Sequence, residues 1–257
     1  MGFSFNGITS QSINIKARIT NWQASPPLRN FYEIVPGKAG IADFGSDSME
    51  RKIAVSCNIF PQKNFADLVN VLDRVSSWLS PGNGLKQLLL DDVPDRYFLA
   101  RISEAIDCDR ILRTSGAFTL NFICPDPFAY ALIDESFIIS LAGTHSIERL
   151  KGNADSEPLY TLKGVITVGT EKYVSITTNG QELKIIGSLG VGESLIIDTG
   201  KVTAKVVDSL GNTLRNGLPH LQELNFPMLK AGINEVIISS QNATFTELKI
   251  SSKSRWR

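Results

Sequence analysis

Apolar and polar side chains alternate along most of this chain. SINIKARI (12–19) and RKIAVSCNIF (51–60) place an apolar residue at nearly every second position, the latter with Ile53, Val55, Cys57 and Ile59 on one face, and this period predicts half-buried β-strands. GAFTLNFIC (116–124) sets Phe118, Leu120 and Phe122 against Ala117, Thr119 and Asn121 in the same way. One segment follows a different period. In NFADLVNVLDRVSSWLS (64–80), Phe65, Leu68, Leu72, Val75 and Leu79 recur at helical spacing behind Asn64, a residue suited to capping a helix N-terminus. Pro81, Gly82 and Gly84 then stop the helix. KQLLL (86–90) and RYFLARISEAI (96–106) resume the strand pattern, so the first half reads as a run of strands with one helix laid across it.

Proline and glycine divide the pattern. CPDPFAYA (124–131) cannot continue a central strand, because Pro125 and Pro127 each remove a ladder donor, and the main body of a first domain is expected to end there. ESFIISLAG (135–143) reads as a connecting strand. Beyond it, short strands recur with turn punctuation: Asn179-Gly180 in TTNGQEL and Gly211-Asn212 in DSLGNTL are the dipeptides of tight hairpins. The expected fold class is mainly β: an N-terminal β-barrel or β-sandwich-like domain with one α-helix (1–133), then a C-terminal antiparallel β-sandwich (134–257) whose last strand packs back on the first domain.

Composition narrows the function classes. The chain has 257 residues, 42% hydrophobic and 20% charged, enough for one large or two ordinary folded domains. Its 26 basic and 26 acidic residues cancel, which removes any general attraction to nucleic acid or anionic membrane and leaves little repulsion between copies. No stretch approaches the ~18 apolar residues of a membrane span, and MGFSFNGITSQS has no signal-peptide pattern. Cys57, Cys108 and Cys124 are odd in number and far apart, so a reduced compartment and no disulfide framework are expected.

Candidate chemistry is sparse. His145 and His220 stand alone, no serine lies in GxSxG, and GVGES (190–194) lacks the lysine and helix of a phosphate loop, reading as a hairpin turn. No enzyme activity, cofactor or metal is expected. SSKSRWR at the end reads as a terminal anchor for Trp256 on a partner or on the first domain, ahead of a nucleic-acid tail. Phe3, Phe5, Phe31, Phe44, Phe118 and Phe122 fall at strand spacing, where core packing is the default. PGKAGIADFGSDSMERKIAV (36–55) offers enough oxygens for calcium but not EF-hand spacing; with Gly37, Gly40 and Gly45, and with Asp43 and Asp47 fitting turn hydrogen bonds, it reads as a long hairpin loop able to touch a neighbour. LLLDDVPDRYFLAR (88–101) gathers Asp91, Asp92 and Asp95, but the strand-like flanks and Pro94 make these the polar tip of a hairpin, with Arg96 or Arg101 pairing Asp92 or Asp95 within it or across an interface.

FSFNGI (3–8), PGKAGIADFGSDSMERKIAV, WLSPGNG (78–84), LLLDDVPDRYFLARIS (88–103) and GAFTLNFICPDPFAYA (116–131) together resemble, in order and spacing, the N-terminal domain of siphophage distal tail proteins. GNADSEPLYTLKG (152–164), TTNGQELKIIGSLGVGESLIID (177–198) and NFPMLKAGINEVII (225–238) are similar to that family's galectin-like jelly-roll domain. The resemblance implies a structural virion component made in the bacterial cytoplasm and located at the tail tip. Its first domain would close a homohexameric ring joining the tail tube protein to the tail-associated tip protein and, directly or indirectly, to receptor-binding proteins. The candidate assembly contacts are Asp43, Phe44, Asp92, Asp95, Arg96 and Arg101. The alternative is a carbohydrate-binding module for host cell-wall glycan.

Overall fold

The structure, a computed structural model, describes residues 2–169 and 171–257, with the side chains of all of these but residues 110 and 111. It divides into two compact units, one ending at Leu132 and one spanning Ile133–Trp256. No helix among the described residues is long and apolar enough to cross a membrane.

The first unit runs β1 (Phe3–Phe5), β2 (Ile8–Thr9), β3 (Ile15–Ile19), β4 (Leu28–Glu33), β5 (Ala42–Ser48), β6 (Arg51–Ile59), α1 (Phe65–Trp78), β7 (Lys86–Leu90), β8 (Val93–Ile102), β9 (Asp109–Leu112), β10 (Ser115–Cys124) and β11 (Ala129–Ala131). The main antiparallel path is β2-β1-β7-β8-β10-β6-β3, with β11 added to β8 and β9 to β10. Strand β8 belongs to two leaves. It pairs with β7 over Lys86↔Ala100 to Leu90↔Val93, and its last residues Arg101 and Ile102 pair with Ile123 and Phe122 of β10. Among the described residues no sheet closes into a barrel. The alternating residues of both leaves meet α1 in the core: Phe3 stacks on Trp78 at 5.3 Å and meets Phe122 at 5.6 Å, and Trp78 Nε1 donates to the Phe5 carbonyl at 3.0 Å.

Local chemistry redraws three expected elements. Residues Ser10–Ile13 form a 3-10 turn, not the start of a strand, because Ser12 bonds back to Thr9 through both its amide and its hydroxyl, and Asn14 adopts a left-handed φ of 62°. In α1 the buried stripe is Leu68, Val71, Val75 and Trp78, while Phe65 at the first turn stays exposed and Leu72 lies at the stripe's edge. Pro94 does not block a strand but sits inside β8. There the register jumps from Leu90↔Val93 to Leu89↔Tyr97, and a bulge tolerates a missing amide donor.

The second unit runs β12 (Ser136–Ile139), β13 (Gly143–Arg149), β14 (Leu159–Val165), β15 (Tyr173–Thr178), β16 (Gln181–Ile185), β17 (Ser194–Asp198), β18 (Thr203–Val207), β19 (Thr213–Asn216), β20 (Gly232–Gln241) and β21 (Thr244–Ser251). These form the antiparallel sandwich: one sheet is β12-β21-β14-β17-β18-β19, the other β13-β20-β15-β16. Tyr160, Leu162, Ile197 and Leu248 of the first face Val174, Ile176, Leu183 and Ile238 of the second. The segment expected to connect the domains is therefore, in part, the edge strand β12. GVGES is no hairpin turn either. Gly190 and Glu193 do form a tight turn, yet it lies on the crossing from β16 in one sheet to β17 in the other.

Candidate assembly surface

Strands β4 and β5 pair with each other apart from the main sheet, in the register Leu28↔Ser48 to Glu33↔Ala42, with a shift between Asn30 and Tyr32. A lone two-stranded ribbon is marginal in water, and this one is held at its root and its middle. At the root, Arg51, the residue that opens β6, is buried; its Nε donates to the Pro127 carbonyl at 3.1 Å, its Nη1 to the Gln23 carbonyl at 2.8 Å, and its guanidinium stands 5.6 Å from the centroid of the Phe98 ring. Burial lowers the Arg51 pKa. In the middle, Arg29 Nε and Nη2 clasp the Asp47 carboxylate at 3.0 and 2.5 Å, and the same guanidinium stands over the Phe31 ring at 5.2 Å. That hydrogen bonding holds Asp47 below the usual carboxylate range. Asp47 is thus a strand residue in an ion pair and not a turn residue. Asp43 does make the local bond, accepting from the Gly45 amide at 3.0 Å where Gly45 takes φ of 93°.

The ribbon's apolar side chains face solvent. Phe31 and Phe44, expected in the core, are exposed, Phe44 by 68%, and Leu28, Tyr32, Ile34 and Ile41 join them. The reason is topological: strand spacing buries a residue only where a second layer covers its face, and every residue of β4 is open. An apolar patch beside unpaired strand edges has the character of a candidate interaction surface. Sequence reading singled out Phe44 and missed Leu28, Tyr32 and Ile34. Their signal was present in LRNFYEIV (28–35), which is apolar on both faces.

The acidic segment lies elsewhere in the unit. Asp91 and Asp92 form the two-residue turn between β7 and β8, with the Asp91 amide donating to the Gly2 carbonyl at 3.2 Å. Gly2 went unremarked in the sequence, yet a Cβ there would stand 2.8 Å from Ser10 Oγ and 2.9 Å from the Asp91 carboxylate. Asp95 and Arg96 follow on β8, where Arg96 Nε and Nη2 close on the neighbouring carboxylate at 3.0 and 2.9 Å. Arg101 is six residues beyond Asp95, about 20 Å along an extended strand, so it reaches neither Asp92 nor Asp95 within its own hairpin; its Nη1 donates to the Ile102 carbonyl at 3.3 Å. The structure therefore pairs Asp95 with Arg96 on β8, leaves Asp92 in the turn before it, sets Asp43 and Phe44 on the separate ribbon, and places Arg101 at the far end of β8.

Burial pushes the Cys57 and Cys124 thiols up to about 12. His145 bonds the Leu141 carbonyl at 2.8 Å, and no group of three His, Cys, Asp or Glu side chains among the described residues is placed to hold a metal.

Residues 6–124, most of the first unit, match the family model of the phage tail protein RIFT-related domain. A particular relative in fold is the Dit protein (gp 19.1) of phage SPP1, described as a paradigm of the hub adsorption apparatus in phages infecting Gram-positive bacteria. It aligns with a TM-score of 0.78 at 14% identity over 100% of this chain and 99% of its own. The phage P2 baseplate in its activated conformation with Ca aligns at a TM-score of 0.47 and 10% identity, over 94% of this chain and 91% of its own. No curated protein matches the sequence.

Proposed function

We propose that this protein is the structural hub at the distal end of a siphophage tail. Six copies close into a ring through the first unit, beneath the tail tube protein, and the second unit offers docking surface to the tail-associated tip protein and to receptor-binding proteins. The observation that carries this reading is the likeness of fold to SPP1 Dit across the whole chain, both units included. The open β4–β5 ribbon supports it physically, since a ring needs a heterologous contact that closes by rotation, and exposed strand edges with apolar side chains supply one. A formal net charge of zero lets copies approach closely. Asp43 and Phe44 act in this ring through the ribbon, and Asp92, Asp95, Arg96 and Arg101 through polar contacts along β8.

The glycan-binding reading draws less support. Tyr160 is fully buried, Phe226 and Phe245 pack against the sandwich core, and Tyr173 lies under the Lys184 ammonium at 4.0 Å, so these rings are already engaged and do not form a platform for sugars.

Light scattering and negative-stain images of the purified chain test the proposal. A closed ring of about six copies is expected. Phe44→Asp is expected to lower the assembled mass without moving the thermal unfolding midpoint, because its side chain is exposed, whereas Arg96→Glu, which replaces the Asp95 ion pair with two like charges, is expected to lower both. A mass of one chain at high concentration refutes self-assembly.

A further inference from the structure

A groove of about 550 Å³ opens in the first unit between α1 and the connection from β8 to β9. Leu72, Leu79 and Ile102 line it with apolar surface, and Asp73, Glu104 and Asp107 add three carboxylates; no Lys or Arg is among its lining residues. The volume suits a few side chains. One carboxylate is fixed in place, since Glu104 Oε2 accepts from Asn121 Nδ2 at 2.7 Å.

The tip of the β4–β5 ribbon has the complementary character. Between Glu33 and Asp43 the sequence is IVPGKAGIA, with one cation, Lys38, and no acid. Ile34, Val35 and Ile41 are exposed around it, and the tip is shaped by a turn in which the Lys38 amide bonds the Val35 carbonyl at 3.1 Å. An apolar tip with a single positive charge matches an apolar groove bearing only negative ones. Groove and ribbon are different patches of the same chain, built from segments on either side of β6, which is the relation a head-to-tail contact requires.

We infer that the groove between α1 and the β8–β9 connection receives the β4–β5 tip of a second copy of this chain, with Ile34, Val35 and Ile41 against the apolar lining and Lys38 among Asp73, Glu104 and Asp107. This rests on the ring reading above and names the seat of its contact. The apolar side chains supply affinity, and the charges fix which end of the ribbon enters.

Cys108 lines the same groove and is partly accessible, whereas Cys57 and Cys124 are buried. In the full chain carrying Ala39→Cys, a short bis-maleimide is therefore expected to join the tip of one copy to Cys108 of the next by two thioethers. The product is a ladder of linked chains on a denaturing gel, lost when Cys108→Ser is added. Separately, Asp73→Lys, Glu104→Lys and Asp107→Lys together are expected to raise the concentration for half-assembly at least about tenfold, and adding Lys38→Glu to them to recover much of that loss. Unchanged assembly in the triple variant, with no ladder from the Ala39→Cys chain, overturns the inference and leaves the ring standing. A wild-type chain that never assembles defeats the ring itself, and the inference with it.

Discussion

Glu193 lies on the crossing between the two sheets of the sandwich, and its carboxylate gathers three donors: Arg215 Nη1 at 2.8 Å, Arg215 Nη2 at 2.6 Å and the Gly190 amide at 2.8 Å. Arg215 also donates to the Ser188 carbonyl at 2.9 Å, so one ion pair pins a loop to β19. The Arg215 hydrogen bonds, with that of Gly190, lower the Glu193 pKa from 4.5 to about 2. A carboxylate depressed on folding stabilises above its unfolded value and loses that contribution as protons bind. The second unit should therefore lose stability as pH falls from about 4.5 to about 2, by about 1 kcal/mol once solvent screening is allowed for. Glu193→Gln should flatten this part of the curve in thermal melts taken across the window. At this scale the sequence was readable where the chemistry is local. Asn179 and Gly180 take φ of 51° and 84°, as a two-residue hairpin turn demands. Phe31 was misread as core because its exposure depends on a layer that is absent from its face, which no neighbour in sequence reports.

The helix shows what one well-placed cap does for an element. Asn64 Oδ1 accepts from the Asp67 amide at 2.9 Å while Asn64 Nδ2 donates to the Asp67 carboxylate at 3.1 Å, so residue and partner satisfy each other across the first turn. Asn64→Ala is expected to cost the first unit about 1 kcal/mol in denaturant unfolding, and Asn64→Ser to recover most of it. The cap, β6 and β10 were legible because each rests on a regular period or a short-range bond. Less legible were the 3-10 turn after β2 and the bulge at Pro94, where side-chain hydroxyls and a slipped register overrule the alternation. The β16–β17 crossing was hidden for a further reason: a tight turn reads the same whether the next strand returns to its own sheet or leaves for the other.

Over the whole chain, the division of labour between units makes its own prediction. If the first unit carries the ring contacts, a chain truncated after Leu132 should assemble to the same number of copies as the full chain, and residues 133–256 alone should remain monomeric. Sedimentation of the two pieces checks this. The candidate assembly surface was only partly visible in the sequence: the acidic hairpin could be located from its turn residues, but the groove beside α1 is made by segments more than twenty positions apart, and spacing within one segment does not reveal it. Strand β8 has a last consequence. Because one continuous strand serves both leaves of the first unit's sheet, force applied to either leaf passes along covalent backbone into the other, and the two leaves should bear load together.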